Sequence, residues 1–277
     1  MIQLIADSGA TNTEWRVIGA GGVGEVKTVG VSPLYIKPAQ IKKILKKEVL
    51  PVAGASVDKI WFYGAGVVGD LNDTLTECLA EVFPGAEIAV ESDMLAACRA
   101  LFGDNAGIAC ILGTGSNCCW WDGKNMTSAA KAGGFILGDE GSGAYMGKML
   151  ISDYIKGLVP IALSKEFDKR YKLTYADIVS KVYREEAPSR FLASFSPFIA
   201  EHQNHPYMKN LIVESLQEFI TRNVMHYDPR RNPVGFVGSV AGVYQSFIQQ
   251  IFRNAGFKLG PIYPSPIDGL VKYHSGK

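Results

Sequence analysis

The sequence lacks the features that mark several large classes of protein. No stretch approaches the run of about 18 apolar residues that a transmembrane helix requires. Lysine and arginine number 28 against 27 aspartate and glutamate, so the net charge of +1 gives no electrostatic reason to bind nucleic acid or an anionic membrane. The N-terminus has neither a basic segment nor an apolar segment of signal length, so we expect a cytoplasmic protein.

Patterns for metal binding and disulfide bonding are equally scarce. The 5 cysteines are odd in number and have no CxxC spacing, which argues against a disulfide framework and a zinc knuckle, and we expect reduced, structural thiols. The 4 histidines form no HExxH or similarly tight set of ligands. With 47% hydrophobic residues in 277, the chain can bury the core of one large or two ordinary domains. Small-molecule chemistry is the function class that remains.

The segment from Leu4 to Trp15 carries the clearest functional signal. An apolar strand delivers Asp7 to a turn of small, hydroxylated residues, in which Gly9 allows unusual backbone conformations and main-chain N–H groups can approach an anion. Because a carboxylate would repel bare phosphate, Asp7 indicates a Mg²⁺ ion, held directly or through coordinated water. A plain hairpin turn explains this stretch, taken alone, equally well.

The order of the predicted elements indicates two α/β domains. A meander of three strands is followed by alternating helices and strands, as in parallel α/β construction. A polar break at 103–107 predicts a boundary between an N-terminal domain 1–105 and a C-terminal domain 106–264, and we expect a C-terminal helix at 265–277 to complete the first domain. Residues 140–228 are largely helical by pattern. The predicted strands of the first domain are 2–6, 14–18, 25–29, 59–63 and 87–90. The predicted helix boundaries in the second domain are Pro160, Pro188, Pro197 and Pro206.

The second half of the chain repeats the opening pattern of the first. An apolar strand at 108–112 runs into the sequence GTGSN at 113–117 and then into a further strand at 118–121. This repeat of strand, small hydroxylated turn and strand provides a second candidate for a phosphate-binding turn. A third glycine turn, at 238–242, follows the short apolar strand 233–237.

Acidic residues at two further element boundaries are candidates for chemistry. Asp93 lies where a strand ends and a helix begins, so its carboxylate can cap the helix or face a site. Asp139 and Glu140 lie between glycines in the sequence GDEGSG, where a sharp turn can present acidic oxygens to the hydroxyl groups of a sugar. The alternative is a solvated turn in which Glu140 or Ser142 caps the following helix.

In the order and spacing of five motifs, the chain resembles the actin-like ATPase superfamily, and within it the N-acetylglucosamine kinase and BadF/BadG/BcrA/BcrD ATPase family. The motifs are DSGAT at 7–11, ESD at 91–93, GTGSN at 113–117, GDEGS at 138–142 and GSV at 238–240. The resemblance covers nearly the whole chain. It implies an α/β, two-domain, ribonuclease H-like fold with a nucleotide cleft between the domains.

The resemblance also implies roles for individual residues. Asp93 would be the catalytic carboxylate, contacting the sugar and accepting the proton of its hydroxyl, and Asp7 would hold Mg²⁺. Thr11 and Thr114 would contact the nucleotide phosphates. The residues expected to bind ATP, with Gly238 and Ser239 on the adenosine side, are Ser8, Gly9, Ala10, Thr11, Asn12, Gly113, Thr114, Gly115, Gly238 and Ser239. The substrate-binding residues expected besides Asp93 are Ser116, Asn117, Gly134 and Asp139.

The expected activity is transfer of the γ-phosphoryl group of ATP, with Mg²⁺ as cofactor, to a hydroxyl of N-acetylglucosamine or a related hexosamine. The expected partners are the sugar and ATP, without nucleic acid or membrane, and a homodimer is compatible with the resemblance. Two departures from the family pattern affect sugar recognition. Leu34 stands where vertebrate-type N-acetylglucosamine kinases have an Asn that contacts the sugar, and the segment 133–137 is shorter than their Gly-Gly-Trp stretch.

Two alternatives stay open on the sequence. An activator ATPase of the BadF type needs cysteines placed to hold an iron–sulfur cluster at a dimer interface, whereas Cys118 and Cys119 directly follow a phosphate-turn candidate. A non-catalytic nucleotide or sugar sensor would retain the glycine turns without transferring phosphate.

Overall fold

The computed structural model describes residues 1–9, 11–19, 22–33, 36–66 and 69–276. The contacts within the chain divide it into two compact units. Unit 1 comprises Met1–Asn105, Asp122–Met126 and Ser265–Lys277, and unit 2 comprises Ala106–Trp121 and Thr127–Pro264.

Unit 1 is built on a mixed sheet of five strands. The strands are β1 (Gln3–Ser8), β2 (Asn12–Gly19), β3 (Gly22–Val29), β4 (Lys59–Gly64) and β5 (Glu87–Ser92). Their order is β3-β2-β1-β4-β5, with an antiparallel meander of the first three and parallel pairing of β1, β4 and β5. The five predicted strands are all present. β1 extends beyond the predicted residue 6 because Asp7 and Ser8 remain in the ladder, opposite Glu14 and Thr13.

Helices cover both faces of this sheet. They are α1 (Pro38–Ile44), α2 (Leu50–Ala53), α3 (Asp70–Val82), α4 (Asp93–Phe102) and a C-terminal helix (Ile267–His274), with a π-helical turn, Leu45–Val49, joining α1 to α2. The C-terminal helix is shorter than the predicted 265–277.

The alternation of side chains along β1 decides which groups face which helices. Leu4 and Ala6 lie in the core formed with α1 and α3, whereas Ile5 packs in a second core with residues of α4 and the C-terminal helix. Asp7 follows Ile5 by two residues and therefore lies on the α4 side of the sheet.

The C-terminal helix approaches α4 closely. A Cβ atom built at Gly269 would lie 2.6 Å from the carbonyl oxygen of Ala100, which is too close for any residue other than glycine. This contact fixes the C-terminal helix against the element that begins at Asp93.

Unit 2 contains a second five-stranded sheet. Its strands are β6 (Gly107–Leu112), β7 (Ser116–Trp121), β8 (Met126–Thr127), β9 (Val234–Val237) and β10 (Leu259–Tyr263). They follow the order β10-β9-β6-β7-β8, with β6 antiparallel to β7 and parallel to β9. Starting from β8, this is the same order as in unit 1, in which three strands of a meander precede two parallel strands. The repeat predicted from the sequence is thus confirmed.

The rest of unit 2 is largely helical, as predicted for residues 140–228. The helices are α5 (Gly134–Leu137), α6 (Gly143–Ile155), α7 (Ile161–Tyr171), α8 (Tyr175–Tyr183), α9 (Pro188–Ala193), α10 (Ser196–Glu201), α11 (Pro206–Arg222), α12 (Ser239–Val243) and α13 (Gln245–Ala255), with a 3₁₀ turn at Val224–Tyr227. The four predicted boundary prolines each lie directly before a helix or at its first or second residue, because the first turn tolerates a residue without an N–H group. Across the described ranges, no helix combines the length and apolarity needed to cross a membrane.

Candidate active site

The turn after β1 is stabilised by two buried hydroxyl groups. Ser8 Oγ donates to the carbonyl oxygen of Val31 (2.9 Å), and Thr13 Oγ1 accepts from the Val31 N–H (2.8 Å). Since the single hydroxyl hydrogen of Ser8 is committed to Val31, Thr13 donates to Ser8 across their 2.7 Å contact. The turn itself closes through a bond from Gly9 N to the carbonyl oxygen of Asn12 (3.0 Å). The Ser8 side chain therefore stabilises the turn, while Gly9, Thr11 and Asn12 are exposed.

Asp7 lies at the end of β1 with its carboxylate in an unfavourable environment for a charge. Burial, followed by the negative charges of Asp93 and Glu14, raises the pKa of Asp7 to about 7. Asp7 as a whole residue is of intermediate exposure, while its carboxyl group lies deep enough for burial to be the largest cause of the raised pKa. The electrostatic effect of Asp93 on Asp7 also means that the structure brings these two predicted site residues near each other.

Asp93 is the first residue of α4 but does not cap it. The cap is Ser92, whose Oγ accepts from Leu95 N at 3.3 Å. Burial raises the pKa of Asp93 to about 6, against the opposing effect of backbone N–H groups of Met94 and Asp93. Asp93 is therefore not the N-cap residue, although its carboxylate interacts with backbone N–H groups at the start of α4.

Glu14 is a third carboxylate in this region that the sequence interpretation did not select. It lies opposite Asp7 in the β1–β2 ladder and accepts hydrogen bonds from Ser265 Oγ (2.6 Å) and Lys27 Nζ (3.1 Å). Burial opposes its ionisation, but these bonds hold the pKa of Glu14 below its ordinary value. Strand pairing of the predicted hairpin was the sequence signal that could have placed Glu14 beside Asp7.

The residues around Asp7 fit Mg²⁺. A cation near Asp7 would relieve the repulsion that Asp93 and Glu14 exert on it, and carboxylate oxygens are the donors that Mg²⁺ prefers. Among the described residues, no group of three or more His, Cys, Asp or Glu side chains is arranged to hold a metal ion.

In unit 2, the turn after β6 is fixed by backbone hydrogen bonds. Gly113 N donates to the carbonyl oxygen of Gly115 (3.0 Å), and the carbonyl oxygens of Gly113 and Thr114 accept from Gly143 N (2.9 Å) and Ala144 N (3.0 Å). The turn is thereby joined to the start of α6. Gly113, Thr114 and Gly115 all retain partial exposure.

Asp139 lies beside this turn. Its Oδ1 accepts from Ser116 N at 3.1 Å, and a Cβ at Gly115 would lie 3.0 Å from the same oxygen. Asp139 has a φ of 57°, a left-handed conformation that Asp adopts more readily than most residues. Burial raises the pKa of this carboxyl, opposed by the hydrogen bond from Ser116. Since Ser142 caps α6 by accepting from Tyr145 N (3.1 Å), Asp139 is not needed as a cap.

Glu140 is buried and is not a cap either. Its carboxylate accepts from Asn223 Nδ2 at 3.4 Å and lies 3.7 Å from Arg222 Nε. These contacts direct Glu140 towards α11, whereas Asp139, the other acidic residue of the GDEGSG motif, lies beside the Gly113–Gly115 turn.

The third glycine turn, which begins at Gly238, contacts the end of β6 and the start of the turn Gly113–Gly115. Gly238 has a φ of +119°, and a Cβ there would lie 2.2 Å from the carbonyl oxygen of Leu112 and 3.3 Å from Gly113 N. Only glycine fits this position. Ser239, the first residue of α12, is exposed.

The other predicted substrate residues have mixed surroundings. Asn117 is partly exposed and its Oδ1 accepts from the adjacent Cys118 N (2.8 Å). Gly134 is exposed at the start of α5, with a φ of +64°. Ala10 and Leu34 lie outside the described residues.

Structural comparison gives the family of this chain. A structure solved under the name "putative N-acetylglucosamine kinase", from Porphyromonas gingivalis, shares 42% identity and superimposes with a TM-score of 0.92 over 99% of both chains. The chain belongs to the family of N-acetylglucosamine kinase-like proteins. Its fold is that of the actin-like ATPase superfamily of sugar kinases.

More distant members of the superfamily show the same fold. A second "putative N-acetylglucosamine kinase", from Chromobacterium violaceum, has 17% identity and a TM-score of 0.74 over 98% of both chains. A ROK family glucokinase from Streptomyces griseus, solved in complex with glucose and AMPPNP, has 14% identity and a TM-score of 0.56, covering 99% of this chain and 98% of the other. No protein-family model matches this chain. No curated protein sequence matches it.

Proposed function

We propose that the protein is an ATP-dependent sugar kinase that transfers the γ-phosphoryl group to a hydroxyl of N-acetylglucosamine or a related hexosamine. The Asp93 carboxylate is the observation that carries this proposal. Capping of α4 is performed by Ser92, and burial raises the pKa of Asp93 to about 6. A carboxylate with that pKa is mostly ionised at neutral pH and is a stronger base than an exposed aspartate.

The proposed roles in unit 1 follow from this environment. Asp93 accepts the proton of the attacking sugar hydroxyl as the bond to phosphorus forms. Asp7 holds Mg²⁺ directly or through water, and bound Mg²⁺ neutralises charge on the phosphates of ATP. Ser8 and Thr13 hold the turn in the shape that presents Gly9, Thr11 and Asn12 to the phosphates.

The proposed roles in unit 2 are binding roles. The turn Gly113–Gly115 offers backbone N–H groups and the Thr114 hydroxyl to phosphate oxygens. Gly238 and Ser239 lie beside the adenosine. Asp139 accepts hydrogen bonds from sugar hydroxyls, because a carboxylate that accepts from Ser116 N retains further acceptor capacity.

The choice of an amino sugar is supported by the name under which the P. gingivalis structure was solved. A panel of hexoses, hexosamines and N-acetylated hexosamines in a coupled ADP-release assay tests this choice. N-Acetylglucosamine or a related hexosamine is expected to give the largest kcat/KM. Preference for an unmodified hexose would overturn the substrate assignment, and no stimulation by any sugar would favour a sensor.

The catalytic role of Asp93 is tested by Asp93→Asn. This change keeps the shape of the side chain but removes its basicity, so we expect a loss of roughly 10²- to 10⁴-fold in kcat with little change in ATP affinity. Asp73→Asn, on the exposed side of α3, is the matched control and should retain wild-type turnover. Wild-type turnover by Asp93→Asn would show that Asp93 is not the base.

A further inference from the structure

Cys110 and Cys118 form a close pair of thiols in unit 2. They lie directly opposite each other on β6 and β7, and their Sγ atoms are 3.4 Å apart. Both side chains are buried. The turn Gly113–Gly115 joins the two strands, so Cys110 lies shortly before the turn and Cys118 shortly after it.

The backbone around the pair has the geometry that a disulfide needs. In an antiparallel ladder, hydrogen-bonded and non-hydrogen-bonded pairs alternate. The bond from Gly113 N to Gly115 O marks that position as hydrogen-bonded, so the Cys110–Cys118 pair, three positions further along, is non-hydrogen-bonded. Facing Cα atoms in such pairs are about 4.5 Å apart, within the range of about 4.4–6.8 Å found across disulfides.

The pairing is specific to these two cysteines. Cys119 is adjacent to Cys118 but lies opposite Ala109, and its side chain is on the other face of the strand because side chains alternate. Cys78 and Cys98 belong to unit 1. Cys119 is therefore a matched control for a reaction at Cys118.

We propose that Cys110 and Cys118 are a redox modification site, where a peroxide converts the two thiols to a disulfide that alters the adjacent Gly113–Gly115 turn. One sulfur attacks the O–O bond, giving a sulfenic acid and one water molecule. The second thiol displaces the hydroxyl group of the sulfenic acid, which leaves as a second water. Two thiols and one hydrogen peroxide thus become one disulfide and two waters. Both thiols lie in the buried core that the sheet shares with the helices of unit 2, so peroxide reaches them only when this core opens locally.

The disulfide would act on the turn through the ends of the strands. Bond formation shortens the Sγ–Sγ distance from 3.4 Å to about 2.05 Å. Leu112 has little freedom to adapt, since Gly238 packs against its carbonyl oxygen so closely that no Cβ fits. We therefore expect the Gly113–Gly115 turn to shift and Mg-ADP affinity to fall about tenfold, a consequence that rests on the proposed function of this turn as a phosphate site.

Counting thiols tests the modification without reference to activity. The folded protein is incubated with hydrogen peroxide, quenched with catalase, denatured and alkylated with iodoacetamide. Reduced protein carries 5 alkyl groups, and oxidised protein should carry three, since two of the five are lost to the bridge. Tandem mass spectrometry should place the bridge between residues 110 and 118, and dithiothreitol should reverse it. Five alkyl groups after peroxide, a bridge at Cys119 or conversion to sulfinic acid would overturn the proposal.

Nucleotide binding tests the consequence. Titration calorimetry with Mg-ADP compares reduced and oxidised wild type with Cys110→Ala and Cys119→Ala. Oxidation should weaken binding about tenfold in wild type and Cys119→Ala but leave Cys110→Ala unchanged. A bridge with unchanged affinity would overturn the effect on the turn. An absence of Mg-ADP binding by the reduced wild type would contradict the proposed kinase, while the thiol count would still decide the modification.

Discussion

At the scale of single residues, the candidate site places carboxylates where ionisation is costly. Asp7 and Asp93 have pKa values raised by burial, whereas Glu14, beside them, is kept ionised by hydrogen bonds from Ser265 and Lys27. Groups with similar chemistry are thus given different protonation behaviour by their surroundings, which is common where one carboxylate acts as a base and another as a metal ligand.

The cost of ionising Asp7 predicts a gain in stability on its removal. The pKa of Asp7 is about 7 in the folded protein and 3.8 for an aspartate in the unfolded chain. Between these values the folded protein binds a proton that the unfolded chain releases, so the stability that this proton provides is lost as pH rises from 3.8 through 7. Asp7→Asn avoids this loss. In the absence of Mg²⁺ at pH 8, we expect its free energy of unfolding in urea to exceed that of the wild type by about 2 to 4 kcal/mol, and the gain to disappear near pH 4.

The control for that measurement is Asp73→Asn, whose exposed side chain lies in the first turn of α3, so we expect it to lower the free energy of unfolding at pH 8 by no more than about 1 kcal/mol. Asp7→Asn should also lose Mg²⁺-dependent nucleotide binding. A variant less stable than the wild type at pH 8 would contradict the unfavourable environment assigned to Asp7.

Asp139 offers a test of sugar recognition at the residue scale. Asp139→Asn keeps an oxygen to accept from Ser116 N and tolerates the φ of 57°, so the fold should be retained. The loss of charge weakens hydrogen bonds from sugar hydroxyls, and we expect KM for the sugar to rise about tenfold or more. KM for ATP should not change. An equal rise in both KM values would show that Asp139 acts on the turn instead.

At the scale of elements, the C-terminal helix is joined to β4 and α4 by a chain of side chains. Arg99 Nη1 donates to Tyr63 Oη at 2.6 Å, and Tyr63 Oη shares a hydrogen bond with His274 Nε2 at 2.8 Å. His274 also stacks on Trp61, with ring centroids 4.2 Å apart. Burial and the nearby positive charges of Arg99 and Lys59 favour the neutral form of the His274 ring.

This arrangement predicts an acid-dependent loss of stability. Burial, then the charges of Arg99 and Lys59, lower the pKa of His274 from 6.5 to about 4. Between these values the unfolded chain binds a proton that the folded chain does not, so the contribution of His274 falls as pH decreases from 6.5 to 4. With allowance for partial exposure, we expect this loss to reach about 1 to 2 kcal/mol.

The difference between wild type and His274→Gln isolates this contribution from that of Asp7 and Asp93, whose raised pKa values act in the opposite direction. Urea unfolding from pH 4 to pH 7 should show a flatter pH dependence for the variant, relative to wild type, over this interval. Lys272→Ala, on the exposed side of the same helix, is the control. Parallel curves for wild type and His274→Gln would rule out the assigned role.

Some of the helices, strands and contacts can be predicted from sequence patterns, and others cannot. The meander, the parallel strands and the proline boundaries follow from local hydrophobic patterning and backbone restrictions, so they are predictable. β10 escapes the pattern because Gly260 and Pro261 interrupt its apolar residues. The neighbours of Glu14 and His274 are set by contacts between distant parts of the chain, such as the bond from Ser265, and no local pattern encodes them.

At the scale of the whole molecule, ligand binding should raise the melting temperature. A ligand that binds only the folded state at 100 times its Kd contributes about 2.7 kcal/mol. For a protein of this size we expect Mg-ADP to raise Tm by roughly 5–10 °C, measured by calorimetry or thermal fluorescence. Asp93→Asn should keep this shift, since Asp93 is proposed to act on the sugar hydroxyl.

Removal of the metal provides the contrast. With EDTA, or in Asp7→Asn, the shift produced by ADP should fall markedly. An equal shift from ADP with and without Mg²⁺ would contradict the metal-binding role of Asp7.

The common strand order of the two sheets allows their corresponding positions to be compared. Counted back from the last ladder pair before each turn, Ser8–Thr13 in one sheet and Leu112–Ser116 in the other, Asp7 corresponds to Ile111 and Glu14 to Asn117. β1 and β2 therefore carry two facing acidic residues at these positions, whereas β6 and β7 carry an apolar and an amide residue. A carboxylate introduced at Ile111 would give the sheet of unit 2 an acidic residue at the position that Asp7 occupies in the sheet of unit 1.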